Sequence, residues 1–160
     1  TIFTILIPMA EGAEALVGDL EEEEPLQGRV GETILVVEDD DSVRQLLVAV
    51  LTEAGYGVLT ARDGEEGVRQ FRANPGEVAL VLTDMIMPRK NGREAVEEIR
   101  SHAPGTRALY ISGYTDDIIG LRGGETGEVP LVLKPVNPSE LLRKIRELLD
   151  APTAESVRAQ

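Results

Sequence analysis

Apolar positions along the chain fall into two alternating patterns, short continuous runs of strand type and longer stretches with helical spacing. Thr33–Val37 (TILVV) is a run of the kind that forms a parallel strand buried on both faces. It is followed by Val43, Leu46, Leu47, Val50, Leu51 and Ala54, whose spacing of three and four predicts an amphipathic helix. Asp40 or Asp41 is available as its N-cap, and Gly55 as its stop. A short strand is predicted over 58–61, then a helix over Gly64–Ala73 that Asn74-Pro75-Gly76 ends. Residues 78–83 (VALVLT) form the most strand-like run in the chain. Gly92–His102 reads as a helix with Ala95, Val96 and Ile99 on one face, and strands are predicted over 107–111 and Leu131–Leu133. The last helix opens at Asn137-Pro138-Ser139-Glu140, a capping-box-like sequence with Pro at the first helical position. Its apolar stripe is Leu141, Leu142, Ile145, Leu148 and Leu149.

Strands alternating with helices over residues 33–150 predict an α/β fold, a five-stranded parallel sheet with helices on both faces. Such sheets bind ligands at the carboxyl ends of their strands, where the strand order reverses. After the first strand stand Glu38, Asp39, Asp40 and Asp41; after the third, Asp84 and then Met85-Ile86-Met87-Pro88. The fourth is followed by Ser112 and Gly113, the fifth by Lys134 and Pro135. Carboxylates converging on one sheet edge repel one another unless a cation lies among them. Oxygen ligands without His or Cys suit a hard ion, Mg²⁺ above all. The Lys and the hydroxyl opposite are donors of the kind that hold a phosphoryl group. A carboxylate, Mg²⁺, a Lys and a Ser around one point suit phosphoryl transfer to an aspartate. Taken singly, 38–41 also reads as the acidic start of a helix and Asp84 as a turn residue. The joint arrangement at four strand ends is what points to chemistry.

Composition narrows the classes of function. Among 160 residues there are five aromatic side chains and no Trp, and the net charge is −13. Both features oppose nucleic-acid binding, which needs basic stripes or stacking platforms. Without Cys there is no disulfide, thiolate zinc site or cysteine nucleophile, which fits a reducing compartment such as the cytoplasm. The apolar run at 2–10 is broken by Thr4 and Pro8, too short to span a bilayer, so no direct membrane contact is expected. Charge is uneven: residues 1–32 carry eight acids and one base, a net −7, which marks 9–32 as an acidic linker. Residues 1–8 (TIFTILIP) read as a strand that belongs with a preceding domain, and 151–160 as a flexible tail.

The segments ILVVEDD (34–40), LTDMIMP (82–88), YISGYTDD (110–117) and LVLKP (131–135) resemble, in order and at family spacing, the receiver domain of two-component signalling. The resemblance covers residues 33–150 and implies the flavodoxin-like receiver fold. It also implies that Asp84 is the phosphoacceptor and that Asp39, Asp84 and the backbone carbonyl of Ile86 bind Mg²⁺, with Glu38 acting through water. Ser112, Gly113 and Lys134 would contact the phosphoryl oxygens, and Pro135 would follow a cis peptide. Such a module catalyses only its own phosphorylation and dephosphorylation. Its implied partners are the phosphohistidine of its own or a cognate kinase and a histidine phosphotransfer protein. SGYTDD together with LVLKP resembles receivers at the carboxyl end of hybrid sensor histidine kinases. The F-x-I-x-x-P pattern of residues 3–8 is similar to the end of a kinase ATP-binding domain. With the initial Thr, these features lead us to expect a cytoplasmic piece of a larger kinase, one that can itself be membrane-anchored.

Two departures from the family pattern carry expectations of their own. Leu131 stands where many receivers have an aromatic switch residue, so Tyr114 and Leu131 mark a switch region without that ring. The five glycines from Gly113 to Gly127 limit any helix there to about 115–121, so ordering of this segment is the expected readout of phosphorylation. Ile86 and Tyr114, two residues beyond Asp84 and Ser112, would shield a phosphoaspartate from water and prolong its life. His102, the single histidine, is expected at an exposed helix end. Two rival functions remain. Asp39-Asp40-Asp41-Ser42-Val43 fits the D-x-D-x-[TV] signature of haloacid-dehalogenase-type phosphatases. The other rival is a non-phosphorylated interaction module of the same fold.

Overall fold

In the chain's computed structural model, which describes residues 28–29, 31–113 and 129–152, the apolar runs become five strands, of which the three central ones are buried for most of their length. The elements follow in the order β1 (Thr33–Val37), α1 (Asp41–Glu53), β2 (Gly57–Ala61), α2 (Gly64–Ala73) and β3 (Val78–Asp84). Then come α3 (Gly92–His102), β4 (Arg107–Ser112), β5 (Leu131–Leu133) and α4 (Pro138–Asp150). All strands pair in parallel, in the order β2-β1-β3-β4-β5. The order reverses beside β1 and β3, which places the crevice for a ligand at their carboxyl ends.

Strand alternation sorts the core into two layers. Ile34, Val36, Leu80, Leu82, Leu109 and Ile111 pack with Leu47 and Leu51 of α1 and Leu141, Ile145 and Leu149 of α4. Leu35, Val37, Val81, Ala108 and Tyr110 face the other way, against Val68 of α2 and Ala95, Val96 and Ile99 of α3. With both faces covered, each fully buried Leu or Ile contributes about 1.5–3 kcal/mol.

Helix ends follow from side-chain caps. Of the two aspartates available for α1, Asp40 is the N-cap, accepting from the Ser42 and Val43 amides at 2.8 and 3.0 Å. Gly55, just past Ala54, takes φ 87°, the left-handed conformation that stops the helix. Asn137 caps α4, accepting from Ser139 and Glu140 at 2.9 and 3.3 Å. A complete capping box lies at α3, where Asn91 and Glu94 bond each other's amides. Strand β2 begins at Gly57, one residue before the expected start. The expected α1 stripe needs one correction: Leu46 is 51% exposed, and the buried face runs through Arg44, Leu47 and Leu51.

The end of the acidic stretch lies on the domain. The Gly28 amide donates to the Ala54 carbonyl at 2.7 Å, and Arg146 of α4 holds both oxygens of Glu32 at 2.7 and 2.9 Å. The expected strand over 1–8, most of the linker, the helix over 115–121, Tyr114 and residues 153–160 of the tail lie outside the described residues.

Candidate functional site

The carboxyl edge of the sheet collects side chains from β1, β3 and β5. Glu38 extends β1 by one residue, its amide donating to the Ala61 carbonyl at 3.1 Å. Its own carbonyl accepts from Nη1 of the buried Arg44 at 2.8 Å, and its side chain is turned inward with 1% exposure. Asp84 ends β3 opposite Ile111 of β4. Its Oδ1 accepts from the Ile86 amide at 3.0 Å, and its carbonyl accepts from the Thr83 hydroxyl at 3.0 Å. The start of α3 packs directly on this carbonyl: a Cβ at Gly92 would lie 2.0 Å from it, so only glycine fits. Lys134 follows β5, its amide bound to the Ser112 carbonyl at 2.8 Å, and the Lys134–Pro135 peptide is cis as expected.

The side chain of Lys134 spans the crevice. Its Nζ donates to Asp84 Oδ2 at 2.5 Å and to Glu38 Oε2 at 3.1 Å. Single oxygens of Glu38, Asp39 and Asp84 all lie within 4.8 Å of one another. Burial pushes the Glu38 carboxyl above its ordinary value, the Asp84 charge adds to this, and the Lys134 ammonium opposes it. Burial alone would lower the Lys134 pKa, but its bonds to Asp84 and Glu38 outweigh that and raise it. Three carboxylates against one ammonium leave an excess of negative charge that a dication fits. The donor set, all oxygen and part exposed through Asp39, suits Mg²⁺ with some of its waters retained.

The acidic run after β1 divides by role. Glu38 and Asp39 face the site, whereas Asp40 turns back to cap α1, and its amide bonds hold its carboxyl below the ordinary range. Asp41 pairs with Arg44 and its side chain is 72% exposed, so the second carboxylate of the D-x-D signature does not join the cluster. Ser112 is buried at the end of β4, with Gly113 exposed just beyond it. Ile86 is 61% exposed on the loop after Asp84. Leu131, half-buried, pairs with Tyr110 across β4 and β5 and packs against the α2/α3 layer. His102 is exposed at the end of α3, near Arg72. Arg44 is the supporting residue that the apolar pattern passed over. Its place three residues before Leu47 and seven before Leu51, on the buried face, was the available signal. Among the described residues, no helix is long and apolar enough to cross a membrane.

A family model described as the response regulator receiver domain matches residues 34–146. The chain is 30% identical over 118 residues to sensor kinase CckA of Brucella abortus (strain 2308), covering 74% of this chain and 12% of that protein. It is 37% identical over 121 residues to the probable transcriptional regulator ycf27 of Porphyridium aerugineum, covering 74% of this chain and 48% of the relative. The chain thus spans half or less of these relatives. Among solved structures, a response regulator receiver domain protein from Clostridium thermocellum superposes with a TM-score of 0.66 at 29% identity, covering 74% of this chain and 94% of that one.

Proposed function

Because the chain belongs to the response regulator receiver domain family of two-component signalling, we propose that Asp84 is its phosphoacceptor and that Mg²⁺ assists the transfer. The observation that carries this reading is the single ammonium of Lys134 bonded to both Asp84 and Glu38, with Asp39 at the same point. A carboxylate oxygen of Asp84 attacks phosphorus in line. The bond from phosphorus to the donor's imidazole nitrogen breaks, and that nitrogen keeps the electron pair. The product is an acyl phosphate on Asp84 and a free histidine on the donor. Asp39, Asp84 and the Ile86 carbonyl would hold Mg²⁺, with Glu38 acting through water; the ion would neutralise charge on the transferred oxygens. Lys134 moves from Asp84 Oδ2 to a phosphoryl oxygen, and the Ser112 hydroxyl and Gly113 amide donate to the others.

For the longer protein we favour a hybrid sensor histidine kinase with its signalling domains in the cytoplasm. The similarity to the Brucella sensor kinase and the kinase-like pattern of residues 3–8 support this. Its receiver then passes the phosphoryl group to a histidine phosphotransfer protein or regulates its own kinase.

The test is an intact mass spectrum after incubation with Mg²⁺ and acetyl phosphate, beside Asp84→Asn. One phosphoryl adduct that is lost in the variant is expected. No adduct despite measurable Mg²⁺ binding and exposure to a phosphorylated kinase would overturn the phosphoacceptor reading. Continuous hydrolysis of phosphate esters would favour the phosphatase, but the outward turn of Asp41 leaves that signature one carboxylate short.

A further inference from the structure

The loop that carries Ile86 is fastened from a side that the site does not use. The Gly92 amide closes the base of the 85–91 loop by donating to the Met85 carbonyl at 3.3 Å, and Met87 is buried in the α2/α3 layer. At the far end Arg89 adopts φ 67°, a left-handed conformation that residues of its type seldom take. The Lys90 amide closes the turn around it by donating to the Pro88 carbonyl at 3.0 Å, and two further contacts hold it from the start of α2. The Gly64 amide donates to the Lys90 carbonyl at 3.2 Å, and Nη2 of Arg89 donates to Oδ2 of Asp63.

Asp63 is the N-cap of α2, with Oδ1 accepting from the Glu66 amide at 2.8 Å, and it is 6% exposed. An Asn caps a helix as well as an Asp does and leaves no charge to desolvate. The cap alone therefore does not account for a buried carboxylate; its second oxygen, spent on Arg89, does.

We infer that Asp63 is a positioning residue for the phosphoacceptor site, holding through Arg89 the turn that presents the Ile86 carbonyl. This rests on the reading of Asp84 as a Mg²⁺-assisted phosphoacceptor. The carboxylate touches neither metal nor phosphoryl group; it fixes the backbone three residues beyond the carbonyl.

The experiment compares wild type, Asp63→Asn, Arg89→Met and the double variant by calorimetric titration with MgCl₂, thermal unfolding and amide exchange. Each single variant is expected to weaken Mg²⁺ binding about tenfold, the lower end for partners that orient a ligand. The double variant weakens it no further, and Arg89→Lys recovers part of the loss. Unfolding temperature stays near wild type in Asp63→Asn because the cap survives. Unchanged Mg²⁺ affinity in both single variants would overturn the inference. Should wild type bind no Mg²⁺, the reading of the site fails instead, and exchange decides the pin on its own. Faster exchange at 86–91 in Asp63→Asn, with α2 amides unchanged, upholds it; equal rates overturn it.

Discussion

Replacing Lys134 by Met removes the one ammonium that bonds the carboxylates at the sheet edge while keeping the aliphatic stem. Glu38 and Asp84, with side chains only 1% and 10% exposed, are then left facing each other. Breaking a fully buried ion pair costs about 3–5 kcal/mol. The Lys134 side chain is 27% exposed, so water recovers part of that, and about 2–3 kcal/mol is the expected loss. For a domain of this size the loss lowers the unfolding midpoint by about 8–12 °C. Thermal unfolding followed by far-ultraviolet circular dichroism in EDTA measures it. Added Mg²⁺ should restore more stability in the variant than in wild type, because the dication then meets carboxylates that no ammonium partly neutralises. Phosphorylation from acetyl phosphate should nevertheless stay impaired, since the donor to the phosphoryl oxygen is gone. A midpoint equal to wild type in EDTA would refute the electrostatic account. So would an equal Mg²⁺ effect on both proteins.

The Glu32–Arg146 pair gives a pH prediction. The bond from Arg146 holds the Glu32 carboxyl below its ordinary value of 4.5, so the unfolded chain takes up the proton first as pH falls. The pair's stabilisation is then complete above about pH 5.5 and lost as pH falls through the lowered folded value. Glu32→Gln should cost about 1–2 kcal/mol at pH 7 and almost nothing at pH 3, measured by urea unfolding; an equal cost at both pH values would refute this. Ile86→Asn should speed loss of the phosphoryl group about fivefold, roughly 1 kcal/mol of barrier, because water gains access to the acyl phosphate. The decay of the mass adduct measures it, and an unchanged rate would remove Ile86 from that role.

Which features were legible in the sequence depended on whether their cause was local. Strands read correctly because β1, β3 and β4 are buried on both faces, so their apolar runs needed no knowledge of neighbours. Caps read well for the same reason: Asp40 and Asn137 act on amides two and three residues away. The strand-end rule also anticipated that Glu38, Asp39, Asp84 and Lys134 come together, although Lys134 lies 96 residues from Glu38. The pattern did not show which faces of α1 and which acids of 38–41 turn inward, because those are settled by one buried side chain and by the first amides of the helix. Arg44 enters the apolar face of α1, and Leu46 is left outside. Its Nη1 secures the Glu38 carbonyl while Nη2 draws Asp41 away. Asp40 is taken by the helix amides. Of four consecutive acids, two are thus consumed in building α1, and Glu38 and Asp39 remain beside Asp84. This division follows from helix amides and a buried guanidinium that need partners, so it should hold whether or not a metal is bound.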